Sequence, residues 1–362
     1  MKYKPFFLLP LLVSCTSNGP HLLLEQIEVS YLNDTVTTLI GTPIHLDAMG
    51  MNDIMFCDSF LILTSSDANG MISVYDPTSC ERIMQLCHKG RARNEFNELS
   101  TLYSQHYIKD GKTMIPLLDD MISIKELDFT NSIKRHSALI TQTGLCPPDG
   151  NFGMINNDFN ILFNCSRVTA DDAKQNVYYP PKYSIIDIEK QKEIKKIKVY
   201  SKRMMDIEDV NYYNFLYQGG IYKHPEKNMF IQVFASLDYL YYFDIDNDKK
   251  FALHHKGTIS FEDHLSVSEL SEIKNTFTTV LCTPDYIFTL HRGNIRSYED
   301  KENTPNLYIF DWDGNFVCGA KMGVDIHRLA FDEKKRIMYG GNYIEEKIYS
   351  FDLNSLLNES YD

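Results

Sequence analysis

The sequence predicts an all-β chain, folded as a six-bladed β-propeller of four-stranded antiparallel blades with the ring closed by an N-terminal strand. Three observations carry that prediction. A strand ending in an acidic turn recurs six times, a further strand pair precedes each copy, and the chain is too long for one compact core. Its 362 residues are 43% hydrophobic and 12% aromatic, so there is ample material to bury, and a repeat fold distributes it over several small cores.

The chain begins with a targeting signal, residues 1–14. Lys2 and Lys4 form a basic start, and the apolar stretch 6–13 is too short to span a bilayer. It ends in Leu12-Val13-Ser14-Cys15, the pattern of a bacterial lipobox, in which the cysteine receives diacylglycerol. Residues 15–24 are then the lipidated Cys15 and a polar tether, and 25–362 form a single propeller. Several acyl chains on one cysteine give durable membrane anchoring. Thr16 is not the Asp that marks inner-membrane retention, so attachment to the outer membrane is expected, on either its periplasmic or its outer side. No later run is long and apolar enough to cross a membrane.

The repeat is clearest in Ile72-Ser73-Val74-Tyr75-Asp76, Tyr183-Ser184-Ile185-Ile186-Asp187, Tyr241-Tyr242-Phe243-Asp244, Leu307-Tyr308-Ile309-Phe310-Asp311 and Ile348-Tyr349-Ser350-Phe351-Asp352; a sixth copy ends at Asp128. The closing aspartates lie 41 to 67 residues apart, close to one period with variable loops. Each carboxylate can accept backbone N–H groups just downstream and so start a hairpin turn. Asp313-Gly314 is the plainest such turn. Upstream pairs such as Ile54-Met55-Phe56 with Phe60-Leu61-Ile62-Leu63, and Gly220-Ile221-Tyr222 with Met229-Phe230-Ile231, bring each unit to four strands, the content of one blade. The early strands 26–31 and 35–40 precede the first blade, and one of them is expected to complete the last. Two stretches break the β pattern: 266–274, with a Ser-x-x-Glu capping box, reads as a short helix, and the tyrosine-rich 204–216 is undecided.

The formal net charge is −13, or −15 once Lys2 and Lys4 are removed, which argues against a nucleic-acid partner. Lys195, Lys196 and Lys198, the densest basic run, alternate with Ile194 and Ile197 and read as a solvated strand face. Seven cysteines follow Cys15, an odd number without Cys-x-x-Cys, so neither a disulfide framework nor a zinc ribbon is indicated. Asp244-Ile245-Asp246-Asn247-Asp248 superficially resembles a calcium loop, but Lys249 stands where the obligatory Gly belongs, which favours a solvated turn. No nucleophile elbow, His-Glu-x-x-His, P-loop or dinucleotide fingerprint occurs, and no cofactor or metal is implied.

The chain resembles the six-bladed, TolB-like (NHL-like) propeller lipoproteins of Gram-negative bacteria. Those proteins commonly carry a Gly-Arg-Gly-Pro-Gly-Glu-Phe type motif after the first blade. Here His88-Lys89-Gly90-Arg91-Ala92-Arg93-Asn94-Glu95-Phe96 keeps Gly90, Arg91, Glu95 and Phe96 and departs from the Gly-Pro-Gly centre. The resemblance spans roughly residues 25 to 355 and implies a binding protein rather than one defined reaction.

For ligand contact the candidates are His291, Arg292, Asn294 and Arg296, with His327, Arg328, Arg91 and Arg93 as further ones. An Arg can hold an anionic group bidentately, and a His can serve acid–base work. His254-His255 ends a strand without a ligand partner at metal spacing. The expected function is an envelope-anchored, non-catalytic binding or scaffold module for a protein, peptide or glycan, as a monomer or a subunit of an envelope complex. The alternative is a hydrolase or lyase on a glycan or peptide with its site in the axial channel.

Overall fold

The structure, a computed structural model, describes residues 22–30, 37–47, 50–92, 94–102, 105–147, 151–166, 181–201, 217, 219–256, 258, 274–295 and 304–358. Three short strands come first: β1 (Glu25–Val29), β2 (Thr38–Leu39) and β3 (Thr42–Ile44). Blade 1 follows as β4 (Met51–Cys57), β5 (Phe60–Ser65), β6 (Ile72–Tyr75) and β7 (Arg82–Leu86). Blade 2 comprises β8 (Leu99–Thr101), β9 (Tyr107–Lys109), β10 (Lys112–Asp119), β11 (Ser123–Asp128) and β12 (Ile140–Leu145). Blade 3 is β13 (Phe152–Ile155), β14 (Asp158–Ser166), β15 (Lys182–Asp187) and β16 (Lys192–Ile197). Blade 4 is β17 (Gly219–Lys223), β18 (Met229–Phe234), β19 (Tyr239–Asp244) and β20 (Lys249–His255). Blade 5 is β21 (Lys274–Cys282), β22 (Ile287–Ile295), β23 (Asn306–Phe310) and β24 (Phe316–Met322). Blade 6 is β25 (Arg328–Asp332), β26 (Ile337–Asn342) and β27 (Lys347–Asp352), with β3 as its fourth strand. The predicted six-bladed propeller is the observed fold.

Why six sheets form one ring is visible in the two-residue period of the strands. Successive residues face opposite sides, so Leu117 packs between blades 1 and 2 while Leu118 packs between blades 2 and 3. Leu162 and Phe163 split the same way, as do Phe230 with Ile231 and Ile287 with Phe288. Both faces of a blade are buried, which is why these strands read as continuous apolar runs. The last gap, between blades 6 and 1, is filled by Ala330, Tyr339 and Ile348 against Ile54, Leu61 and Leu63.

The ring closes differently from expectation. Neither 26–31 nor 35–40 completes the last blade; β3, just downstream, pairs antiparallel with β27. The earlier strands lie outside other blades, β1 parallel on β20 of blade 4 and β2 parallel on β24 of blade 5. β1, β2 and β3 thus form a strap on three consecutive outer edges, those of blades 4, 5 and 6. The physical reason is that each outer edge offers unpaired backbone groups to any passing strand. Leu22 and Leu24, assigned to the tether on sequence grounds, are buried between blades 3 and 4.

The aspartate turns behave as predicted. Asp76 Oδ1 accepts the Thr78 N–H at 2.7 Å, Asp311 Oδ1 that of Asp313 at 3.0 Å and Asp352 Oδ1 that of Asn354 at 2.8 Å. In blade 2 the same device instead caps a helix, α1 (Phe129–Arg135), with Asp128 accepting from the Asn131 N–H at 2.9 Å. A second helix, α2 (Asn354–Asn358), follows the last strand. The Asp244-to-Asp248 segment is a tight turn, with Asn247 N–H on Asp244 Oδ1 at 3.0 Å. The helix expected over 266–274 and the segment 204–216 lie outside the described residues, apart from Lys274, which opens β21. None of the seven described cysteines is in a disulfide.

Candidate functional site

Strand direction gives the ring two faces. One carries the connections from first to second and from third to fourth strand of each blade; the other carries the remaining connections.

On the second face His291, Arg292, His327 and Arg328 fall into one line of polar contacts. His291 Nε2 lies 3.1 Å from Asp238 Oδ1, with its ring between those of Phe277 and Tyr308. Arg292 donates to Asp325 Oδ1 at 2.6 Å and to the Ile326 carbonyl at 3.2 Å. His327 Nε2 stands 3.3 Å from the other Asp325 oxygen. Arg328 bonds the Asn52 carbonyl at 3.0 Å, reaches Asp53 and covers the Tyr343 ring. Asp238 and Asp325 sit below the ordinary carboxylate range: their hydrogen bonds and nearby positive charge outweigh burial. These side chains therefore already bind partners on neighbouring connections and tie blades 4, 5, 6 and 1 together. Asn294 lies in β22, Arg91 is exposed in the connection after β7, and Arg93 and Arg296 lie outside the described residues.

The motif around Gly90 has a structural role. Phe96 is fully buried between blades 1 and 2, and its N–H donates to the His88 carbonyl at 3.1 Å. Glu95 folds back so that its Oε2 accepts the Ala92 N–H at 2.9 Å. A Cβ on Gly90 would lie 1.9 Å from that same oxygen, so only glycine leaves room for the folded-back carboxylate. Lys125, itself buried, donates to the Glu95 carbonyl at 2.6 Å, pairs with Asp119 at 2.8 Å and lies 4.4 Å from the centre of the Phe96 ring.

The main cavity opens on the first face, around the axis. It holds about 520 Å³ and takes wall residues from all six blades, among them Asp58, His106, Asn157, Glu226, Thr283 and Glu333. Phe56, Met154, Leu281 and Phe331 add apolar surface. Lys223 is buried, donates to Asn157 Oδ1 and to the His224 carbonyl at 3.1 Å each, and is lowered to about 8 by burial. His224 Nδ1 accepts the N–H groups of Glu226 at 3.0 Å and Lys227 at 3.2 Å, which fixes the proton on Nε2. Its ring packs at a tilt of 44° against Trp312, with centres 4.7 Å apart. Burial, then Lys227 and Lys223, bring His224 down to about 4. Burial also lowers His106. Glu333 is raised, by burial and then by the charges of Asp285, Glu226 and Asp332. Cys57 and Cys282, also in the wall, are pushed up by burial and are inert thiols.

None of the residues chosen from sequence lines this cavity. Most of those that do sit in or beside the short turns between first and second strands, such as Lys223-His224-Pro225-Glu226 and Asp332-Glu333-Lys334, while blade 2 contributes Gln105 to Ile108 at the start of β9. A usable signal existed: those turns occupy the same place in every unit, next to the innermost strand.

No family model matches the chain, and no curated protein does. Among solved structures, it is similar to a Bacteroides fragilis protein named as exported, at 12% identity over 90% of this chain and 98% of that one, TM-score 0.54. It is also similar to a member of the DUF4221 family from Bacteroides vulgatus, at 8% identity over 93% of this chain and 98% of that one, TM-score 0.50. At these identities the likeness is one of fold.

Proposed function

We propose that this chain is an exported propeller, anchored to the outer membrane through a lipid on Cys15, that binds a peptide, glycan or protein segment at the axial cavity without altering it. The observation that carries the binding reading is the cavity itself, a concave site to which every blade contributes and in which apolar and polar groups are mixed. Two of its basic groups are engaged in building the walls: Lys223 bonds Asn157, and His224 accepts two backbone N–H groups. The exported description of the Bacteroides fragilis neighbour fits an envelope location, as does the lipobox.

Trp312, the only tryptophan, touches His224 and so reports on the cavity. Envelope glycans and peptides titrated against the purified protein are expected to change its emission saturably. Glu333→Lys should abolish that change, and a library that leaves emission and thermal stability untouched counts against the binding reading. Cys15→Ala is expected to move the protein from the membrane to the soluble fraction after a high-salt wash; retention in the membrane refutes the anchor.

The enzyme reading draws on one observation, a Glu333 carboxyl raised toward the range of a general acid in a cavity that also holds His106 and His224. Cleavage of any library member, lost in Glu333→Gln, would favour it.

A further inference from the structure

We propose that the outer edge of blade 3 rests on the anionic phospholipid surface of the anchoring membrane, so that the propeller sits edge-on. This rests on lipidation of Cys15. The chain reaches the ring at one place: Leu22 bridges Tyr200, and the Leu23 N–H donates to the Val199 carbonyl at 2.7 Å, just beyond β16. Only residues 15–21 separate Cys15 from that point, a reach of at most about 25 Å. The edge of blade 3 is therefore the part of the ring held nearest to the lipid.

That edge has the chemistry a negative surface would select. β16 is exposed over most of its length and carries Lys192, Lys195 and Lys196, with Lys198 directly after it. Lys195 pairs with Asp248 and Lys196 with Glu193, both at the surface, so these pairs exchange readily for phosphate. Ile194 is 55% exposed and Leu23 51%, which places apolar side chains beside the lysines. All this occurs on a chain whose mature net charge is strongly negative.

Lysines and bulges also protect sheet edges from pairing, and β16 has such an irregularity opposite Ile185 and Ile186. Edge protection alone does not explain the distribution. Blades 1 and 2 likewise end in uncovered strands, β7 and β12, yet β7 has a single basic residue, Arg82, paired with Asp47, and β12 has none. The basic edge is the one beside the tether.

The test uses the Cys15→Ala protein, which has no anchor, and vesicles of phosphatidylcholine with or without about one quarter phosphatidylglycerol. Co-sedimentation is expected with the anionic vesicles only, and to vanish as salt rises to about 0.5 M. Each surface lysine contributes about fivefold, so Lys192→Gln, Lys196→Gln and Lys198→Gln together should weaken binding about 100-fold. Lys89→Glu with Lys134→Glu, on distant exposed sites, should leave it unchanged; unaltered thermal stability shows that all variants fold. Equal binding to neutral vesicles, no binding at all, or undiminished binding by the triple variant overturns the proposal. The mass of the N-terminal peptide from cells reads lipidation of Cys15 independently, so the two readings fail separately.

Discussion

Acidification should unlatch the cavity wall at His224. In the folded chain its ring stays neutral down to about 4, because it is buried with Lys227 and Lys223 nearby and its Nδ1 is committed to two backbone N–H groups. In the unfolded chain the same ring takes up a proton at about 6.5. The unfolded state therefore binds more protons between those values. The stability tied to a neutral His224 is intact above about pH 6.5, declines as pH falls, and is gone below about pH 4. At about 1.4 kcal/mol per unit of difference, and allowing for residual water near the cavity mouth, the loss is on the order of 2 kcal/mol. Urea unfolding at a series of pH values measures it. Trp312 gives a second readout, since protonating the ring packed against it should quench its emission with a midpoint near 4. His224→Asn keeps an acceptor near the Nδ1 position without a titrating group, so it should flatten both curves; His106, lowered in the same sense, leaves a residual slope. An unchanged emission step and an unchanged slope in His224→Asn would refute the reasoning.

Three further outcomes follow from the geometry. Lys125→Met leaves the half-buried Asp119 without its cation and should cost about 2 kcal/mol in urea unfolding, whereas Lys125→Met with Asp119→Asn should cost less than the sum of the two single changes. Gly219→Ala places a Cβ 1.8 Å from the Val233 carbonyl oxygen inside the β17–β18 pairing, so it should cost at least about 3 kcal/mol or prevent soluble expression; Gly111→Ala meets no atom and should cost about 1 kcal/mol, from its positive φ alone. Arg292→Met removes the cation from Asp325 at the contact of blades 5 and 6 and should lower stability by about 2 kcal/mol, with a smaller loss at acid pH where Asp325 becomes protonated.

The fold was legible because its signal is local and repeated. A buried blade must alternate its side chains between two neighbours, so pairs such as Leu117-Leu118 and Phe230-Ile231 announce a sheet covered on both sides, and the aspartate turns mark the unit length. The strap was not legible in the same way. β1 has mostly exposed side chains and joins blade 4 through its backbone, which any sequence of suitable length can do. The split of the first strand of blade 2 into β8 and β9, and the helix after Asp128, likewise depend on tertiary packing rather than on pattern. Site residues were sought by chemical type, and that criterion found the arginines and histidines of the second face. There, Arg292 and His291 had been drawn to carboxylates on neighbouring connections. Charge in a loop between blades is first recruited to hold blades together. The cavity on the other face is assembled from turns that look ordinary one at a time, and only their convergence on the axis makes them a site.

The two proposals constrain each other through direction. Chain entry at the edge of blade 3 and a basic strand at that edge would set the ring axis parallel to the membrane. Both faces of the ring then look along the membrane, and the cavity on the first face stays open to a ligand arriving in the plane of the envelope. Were the ring instead to lie flat with its first face down, a ligand longer than the cavity is deep would meet lipid. The strap supports the edge-on arrangement mechanically. Load from the anchor reaches β1 and its five paired residues on blade 4 before it reaches β3, whose three pairs close the ring. Pulling on the N-terminus would therefore act first on a supplementary strand, and the closure of blade 6 would be spared. Deleting residues 16–29 while keeping Cys15 joined to the rest tests this: binding at the cavity should survive, while resistance to unfolding under load applied at the N-terminus should fall. Unchanged resistance would show that β3 alone bears the load.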